Sequence, residues 1–387
     1  MRDVRPAFPA LTEGLAHFDG PGGTQVPAVV ADAVAAAYRS AVSNRHGGFT
    51  SSDRADEIVT AARQAAADLL GADPRGVILG QSMTANTFVL AGALAKTWRP
   101  GDEVVVSRLD HDANIRPWVL AAARAGATVR WVDPDVATDL HPESYDDVLT
   151  DRTRLVAVTA ASNATGSRPD LAAIAAKAHA VGALVHVDGV HATPHAPVAW
   201  DAAGADFWAC SAYKWYGPHL GVTVADPALL ETLQPDKLLP SSDDVPDRFE
   251  LGTSQFAQLV ALTAAVDWIA SLGSGATRRE QVLAAVATMA QHEDAVFAVL
   301  LAGLRDRSDV RLVGAPSRRT PTVAFTKDGE TPQQTAARLA EQRVAVWAGH
   351  YYAVELMQLL GLPDGAVRAG VVAYTDLDDV ERLLSAL

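Results

Sequence analysis

Polar side chains follow four short apolar runs of this sequence, the position at which an open α/β sheet presents groups to a ligand beyond its strand ends. They are His111 after Glu103–Ser107, Asn163 after residues 155–159, Asp188 in LVHVDGVH, and Ser211 to Lys214 in WACSAYKWYGP. Alone, Asp188 fits a turn or a helix N-cap as readily as a site. Lys214, between Tyr213 and Trp215, alone fits a lysine that snorkels past bulky neighbours. Together they fit a particular chemistry. An amine can form a Schiff base with a cofactor aldehyde, and a carboxylate can keep a pyridine nitrogen protonated as an electron sink.

The elements that must position these groups can be read from residue patterns. Between residues 55 and 223, Ala-rich helical stretches alternate with nearly continuous apolar runs at 76–79, 103–107, 128–132, 155–159, 184–187 and 207–209. Such runs suit the strands of a largely parallel sheet covered on both faces, with helices such as Leu171–Ala180 between them. The segment LLPSSDDVPDRFELGTSQ, rich in Pro, Ser and Asp, reads as an exposed connection. Apolar positions three and four apart predict helices over 255–272 and 276–304. Strands at 311–313, 322–325, 344–347 and 367–373, with helices over 332–342 and from 377, make a smaller α/β unit. The expected fold class is therefore α/β. A large domain spans 20–265, and a small domain of 1–19 plus 285–387 is joined to it by a helix around 266–304.

The 387 residues are 49% hydrophobic, enough for a large core and contrary to disorder. The formal net charge of -14 sets the average field against nucleic acid and anionic membrane. A single cysteine, Cys210, excludes an internal disulfide. No run approaches the ~18 apolar residues of a membrane span, and the opening MRDVRPAFPALTEG lacks a secretory apolar core. A cytoplasmic location is expected, and no metal site. No strand is followed by Gly-x-Gly-x-x-Gly, and the GPGG at 20–23 lacks that setting, which disfavours a nicotinamide dehydrogenase.

Over nearly its whole length the chain resembles the class V aminotransferase family, and within it the cysteine desulfurases and selenocysteine lyases. The resemblance implies the fold of PLP-dependent transferases of fold type I, pyridoxal 5′-phosphate (PLP) as cofactor, and a homodimer with active sites at the interface. SAYKWYGP is similar to the family's Ser-Gly-His-Lys-x-x-Gly-Pro, which implies Lys214 as the Schiff-base lysine and Ser211 as a phosphate ligand. Tyr213 replaces the usual histidine; its hydroxyl serves the phosphate or it simply packs. VDGVH resembles Val-Asp-Gly-x-Gln/His, implying Asp188 at the pyridine nitrogen and His191 beside the phenolic oxygen. SNATG implies Asn163 as a hydrogen-bond partner of the ring hydroxyl, and RLDHDANIRPW places His111 where the family's catalytic histidine stacks on the ring and moves protons. LGQSMTANT retains part of a Gly-Thr-Thr-Glu turn, with Met83 and Thr84 at the phosphate; the alternative for Thr84 is a plain N-cap. FELGTSQ implies that Thr253 reaches the neighbouring subunit's phosphate. AVRAGVV implies that Arg368 clamps a substrate α-carboxylate, a bidentate task for guanidinium, the alternative being a surface arginine. Asn44, Arg45 and His46, in SNRHGGFTSS, correspond to a loop over the cofactor in relatives.

The family's persulfide-carrying loop, Arg-x-Gly-His-x-Cys, stands here as WAGHYYA, with Tyr352 at the cysteine position. A phenol cannot hold a persulfide, and Cys210, in an apolar run, reads as an inert core residue. The expected function is therefore that of a cysteine desulfurase-like C-S lyase. It acts on an amino acid, including an S-conjugated cysteine, by β-elimination with Lys214 as base. Aminotransferase, epimerase or decarboxylation-coupled oxidative chemistry at the α-carbon are the alternatives, and a non-catalytic PLP-fold protein is disfavoured because Lys214 and Asp188 are both present. Tyr351 and Tyr352, with Trp347, His350 and Trp118, either shape a pocket larger than cysteine needs or simply pack.

Overall fold

Val, Ile and Thr concentrate in the runs that become strands, where branched side chains fit a pleated, buried surface. The computed structural model describes residues 3–387. Its strands are β1 (Ala16–His17), β2 (Val77–Gly80), β3 (Glu103–Ser107), β4 (Thr128–Val132), β5 (Thr153–Thr159), β6 (Leu184–Asp188), β7 (Phe207–Ser211), β8 (Gly221–Ala225), β9 (Val310–Val313), β10 (Thr322–Lys327), β11 (Val344–Ala345), β12 (Trp347–Gly349) and β13 (Ala366–Gly370). A seven-stranded sheet runs β2-β8-β7-β6-β5-β3-β4, and a four-stranded sheet runs β12-β13-β10-β9. From β7 through β6, β5 and β3 to β4 the pairing is parallel. Every residue of β3, β7 and β8 is buried, as expected of strands covered on both faces. A mostly parallel sheet covered by helices on both faces, with a smaller sheet beside it, is the α/β architecture expected.

Sequence patterns missed β8, which lies antiparallel between β7 and β2, with Cys210 opposite Val222 and Leu79 opposite Val222 on the other side. The link from β7 to β8 is too short for the crossover a parallel strand requires, so the chain returns antiparallel. The run 344–347 is two strands, not one. β11 pairs in parallel with β1, and β12 pairs antiparallel with β13. The helices predicted over 255–272 and 276–304 are Phe256–Ala270 and Arg278–Arg305, so the connection placed around 266–304 is not one continuous helix. Between them Gly273 lies against the Gln281 backbone so closely that a Cβ would collide with it. A capping box then restarts the helix: Thr277 Oγ1 accepts from the Glu280 amide (3.2 Å), and Glu280 Oε2 from the Thr277 amide (3.0 Å).

Phe256–Ala270 is buried over most of its surface and packs on helices Ala28–Arg39 and Thr50–Leu70, closing one face of the large sheet. On the other face, Leu90, Leu94, Trp118 and Ala122 pack over Val104, Val106 and Phe207. The four-stranded sheet has its own core of Val296, Phe297, Leu300, Phe325, Leu339 and Leu383, and Phe18 brings the N-terminal segment into it. Arg278–Arg305 is long enough to cross a bilayer. It opens with Arg278, Arg279 and Glu280, buries Glu293, and packs on Phe256–Ala270 and Leu377–Ala386, as a core helix does.

Candidate active site

Parallel register brings the carboxyl ends of three strands together: Thr159 on β5 faces Asp188 on β6, which faces Ala209 on β7. Beyond them lies a cavity of about 80 Å³ lined by Met83, Thr84, His111, Asn163, Asp188, His191, Ser211, Tyr213 and Lys214. It adjoins a cleft of about 920 Å³ that adds Arg368, Trp347, His350, Tyr351 and Tyr352.

Lys214 ends a single 3-10 turn after β7, and its buried Nζ donates to the Pro21 carbonyl. The GPGG segment thus has a use that its sequence context did not suggest. It brings backbone to the lysine, and a Cβ on Gly22 would strike the Trp347 indole. Burial, reinforced by the charge of Arg368 and opposed by Asp188, pulls the Lys214 ammonium down to about 7. Burial raises the Asp188 carboxyl to about 6, against the Val190 amide, which donates to Oδ1 at 2.9 Å, and the lysine's charge.

His111 Nδ1 accepts from the Ala113 amide at 3.0 Å, which leaves the ring proton on Nε2. Burial first, then Lys214 and Arg368, push its pKa down to about 3, so the imidazole is neutral. Its ring stacks on Tyr352 at 5.3 Å and 26°. Asn163 Nδ2 donates to the Tyr351 carbonyl (2.8 Å), and its buried Oδ1 has no partner. His191 Nε2 lies 3.0 Å from Thr322 Oγ1.

Arg368, in β13, is buried and not on the surface. It donates from Nη1 to the Asn163 carbonyl at 2.8 Å and lies 4.4 Å from the Tyr351 ring, while Nε is unpartnered. Burial lowers the guanidinium to about 10, so it stays charged at neutral pH. A buried charged group with an unused donor suits an anionic ligand. At the start of helix Met83–Ala95, Ser82 and not Thr84 is the N-cap, with Oγ accepting from the Ala85 amide at 3.1 Å. Met83 and Thr84 occupy the first turn, whose amides have no partner within the helix. Tyr213 stacks on His219 at 4.9 Å and 13°.

Other expected residues lie elsewhere in the chain. Thr253 is exposed and lines a separate pocket with Gly80 and Glu250. Asn44 and His46 are exposed, and Arg45 pairs with Asp56 (2.9 Å) and Asp247. None of these lines the cavity around Lys214. Trp118 is also outside it, fully buried with Nε1 donating to Asn114 Oδ1 at 3.1 Å. Cys210 is fully buried, its thiol pushed up to about 12 mainly by burial.

Sequence reasoning missed a buried polar cluster next to His111. Asp110 accepts from Asn114 Nδ2 (2.7 Å) and bonds Ser107, while His186 Nδ1 lies 2.8 Å from Asn114 Oδ1. Burial holds the Asp110 carboxyl up at about 8. The i,i+4 spacing of Asp110, Asn114 and Trp118 was the available signal.

The Aminotransferase class-V family model matches residues 16–383. The chain belongs to this family. It is 34% identical to a probable cysteine desulfurase of Pseudomonas aeruginosa, over 99% of this chain and 95% of that one. It is 32% identical to a cysteine desulfurase of Klebsiella pneumoniae, over 100% and 97%. Among solved structures, the cysteine desulfurase CsdA of Escherichia coli superposes with a TM-score of 0.86 at 27% identity, covering 99% of this chain and 96% of that one. A cysteine desulfurase of Thermococcus onnurineus gives 0.90 at 25% identity, covering 100% and 97%.

The family's cofactor is pyridoxal 5′-phosphate, and the residues present fit it. A buried amine and carboxylate share one cavity, helix amides stand at its rim, and Asn163 Oδ1 and Arg368 Nε are buried and unpartnered nearby.

Proposed function

We propose that this chain is a PLP-dependent, cysteine desulfurase-like enzyme that breaks the C–S bond of cysteine or an S-substituted cysteine by β-elimination. The sulfur leaves as free sulfide or thiol. With the cofactor bound, Asp188 would hold a proton on its pyridine nitrogen, His191 and Asn163 would serve its phenolic oxygen, and His111 would pack against it. Ser211, with the first-turn amides of Met83 and Thr84, would hold its phosphate. Bound there, the cofactor supplies an electron sink that makes the substrate's α-proton removable. Lys214, pulled down to about 7 by burial, has a substantial neutral fraction near neutral pH and takes that proton. Arg368 fixes the α-carboxylate. The thiolate departs with the C–S bonding pair, and the three-carbon remainder hydrolyses to pyruvate and ammonia.

The observation that carries elimination over persulfide transfer is the loop at Tyr352. Its backbone is pinned to the site: Asn163 donates to the Tyr351 carbonyl and the Asp112 amide to the Tyr352 carbonyl, both at 2.8 Å. It bears a phenol, Tyr352, where the resembled motif Arg-x-Gly-His-x-Cys has its cysteine, and Cys210 is shut in the core. Trp347, Tyr351 and Tyr352 line a cleft with room for an S-substituent. Thr253 and Asn44 line one surface pocket with the exposed Tyr38, and Leu251 lines a neighbouring pocket with Thr253. An exposed apolar patch of this kind supports a homodimer in which these residues serve the partner's site. A cytosolic location completes the proposal.

The test is absorption from about 300 to 500 nm for wild type and Lys214→Ala, then addition of cysteine and an S-alkyl cysteine. A band at about 410 to 430 nm, lost or altered in the variant, with pyruvate and thiol released on addition, is the expected result. The band without pyruvate or thiol would move the reaction to transamination or epimerisation. No band after reconstitution would refute the cofactor site.

A further inference from the structure

Behind the cavity lies a second pair of ionisable groups that the elimination chemistry does not use. Glu293, on the helix Arg278–Arg305, is fully buried, and its Oε2 lies 2.7 Å from His195 Nδ1. Its other oxygen, Oε1, has no hydrogen-bond partner among the described residues. The His195 ring in turn meets the His191 ring edge-on, at 5.3 Å and 69°. On its Nε2 side His191 is held by Thr322 Oγ1 of β10. The His191 ring is therefore caught between β10 and a histidine that is itself oriented by Glu293.

A carboxyl group buried with one bare oxygen is costly, and well-packed apolar residues would usually serve stability as well or better. The aromatic contact suggests what the pair does instead. A neutral histidine's tautomer is set by the hydrogen bonds its nitrogens make, and the orientation of the His191 ring decides which nitrogen meets Thr322 Oγ1. His191 lines the cavity with Asp188 and Lys214, so its orientation decides which nitrogen a ligand meets.

We propose that Glu293 and His195 are positioning residues that fix the orientation and tautomer of His191, tying the long helix Arg278–Arg305 to the cofactor's ring oxygen. The proposal rests on His191 facing the bound cofactor, as assigned above. A merely structural pair would staple the helix to the turn after β6 and leave the His191 tautomer alone.

The experiment uses the full chain labelled with 15N-histidine, free of cofactor, and measures the His191 ring-nitrogen resonances in wild type and Glu293→Gln. Wild type is expected to show one fixed neutral tautomer, and Glu293→Gln an averaged one. In parallel, the dissociation constant for PLP is measured in both proteins, in His191→Ala and in the double variant. It is expected to weaken about tenfold in Glu293→Gln and by less than about twofold on adding that change to His191→Ala, as coupled residues require. Unchanged His191 resonances, or full additivity, overturn the positioning role. Unchanged affinity in His191→Ala instead overturns the assignment of His191 to the cofactor, and the coupling with it. Should Glu293→Gln fail to fold, the double change His195→Leu with Glu293→Leu leaves no orphaned polar group and makes the same prediction for His191.

Discussion

Lys214 offers a test that needs neither substrate nor turnover. It is buried beneath Pro21, with its ammonium pulled down to about 7, whereas an unfolded lysine titrates near 10.5. Between these values the unfolded chain binds the proton and the folded cofactor-free chain does not, so stability rises with pH across that window. The slope reaches about 1.4 kcal/mol per pH unit. From pH 7, where the folded lysine is half protonated, to pH 9, the gain from this one group is about 2 kcal/mol. Lys214→Met keeps a long side chain in the same space but has no charge to bury. Asp188, Asp110 and Cys210 titrate in both proteins and largely cancel in the comparison. The assay is urea unfolding of the two cofactor-free proteins at pH 7 and pH 9. The variant should be the more stable at both, by a margin about 2 kcal/mol larger at pH 7. Equal margins at the two pH values would mean that the folded lysine keeps an ordinary pKa, and the claim of a free-base amine would fall.

Three further outcomes are expected. Arg368→Lys keeps the charge but loses the planar fork, and should raise KM for an amino-acid substrate about tenfold with the cofactor band unmoved; an unchanged KM would remove Arg368 from the carboxylate site. Cys210→Ala should release the cysteine substrate's sulfur at a rate within about twofold of wild type, and cost about 1 kcal/mol in urea unfolding. Loss of sulfur release with the fold intact would reopen a persulfide route. Tyr352→Ala removes the stack on His111, a contact worth about 1 kcal/mol. It should lower kcat/KM about fivefold for an S-aryl cysteine and less for cysteine, and equal losses on both substrates would separate Tyr352 from side-chain selection.

The amine, the carboxylate and the strands that carry them were legible in the sequence, because a buried parallel strand is a short apolar run and a strand-end ligand follows it directly in the chain. Asp188 after Val187, His111 after β3 and Lys214 after β7 are local facts of this kind. The cap is Ser82, two residues before the Thr84 alternative, since Ser82 and Thr84 are both competent caps and only backbone geometry chooses between them.

The sequence alone thus determined which chemical groups exist and on which strand ends they stand, and it set Tyr352 in the segment WAGHYYA, which resembles a cysteine-bearing motif. Tertiary structure decided which of them meet. Pro21 reaches Lys214, Arg368 reaches Asn163, and Glu293 reaches His195 across separations that no local pattern encodes. The same packing left Thr253, Asn44, Arg45 and His46 away from their own chain's cavity. It also set the charge states, because burial is a property of the packed core: the lysine, the histidine and the carboxylate departed from their ordinary pKa values only once water was excluded around them.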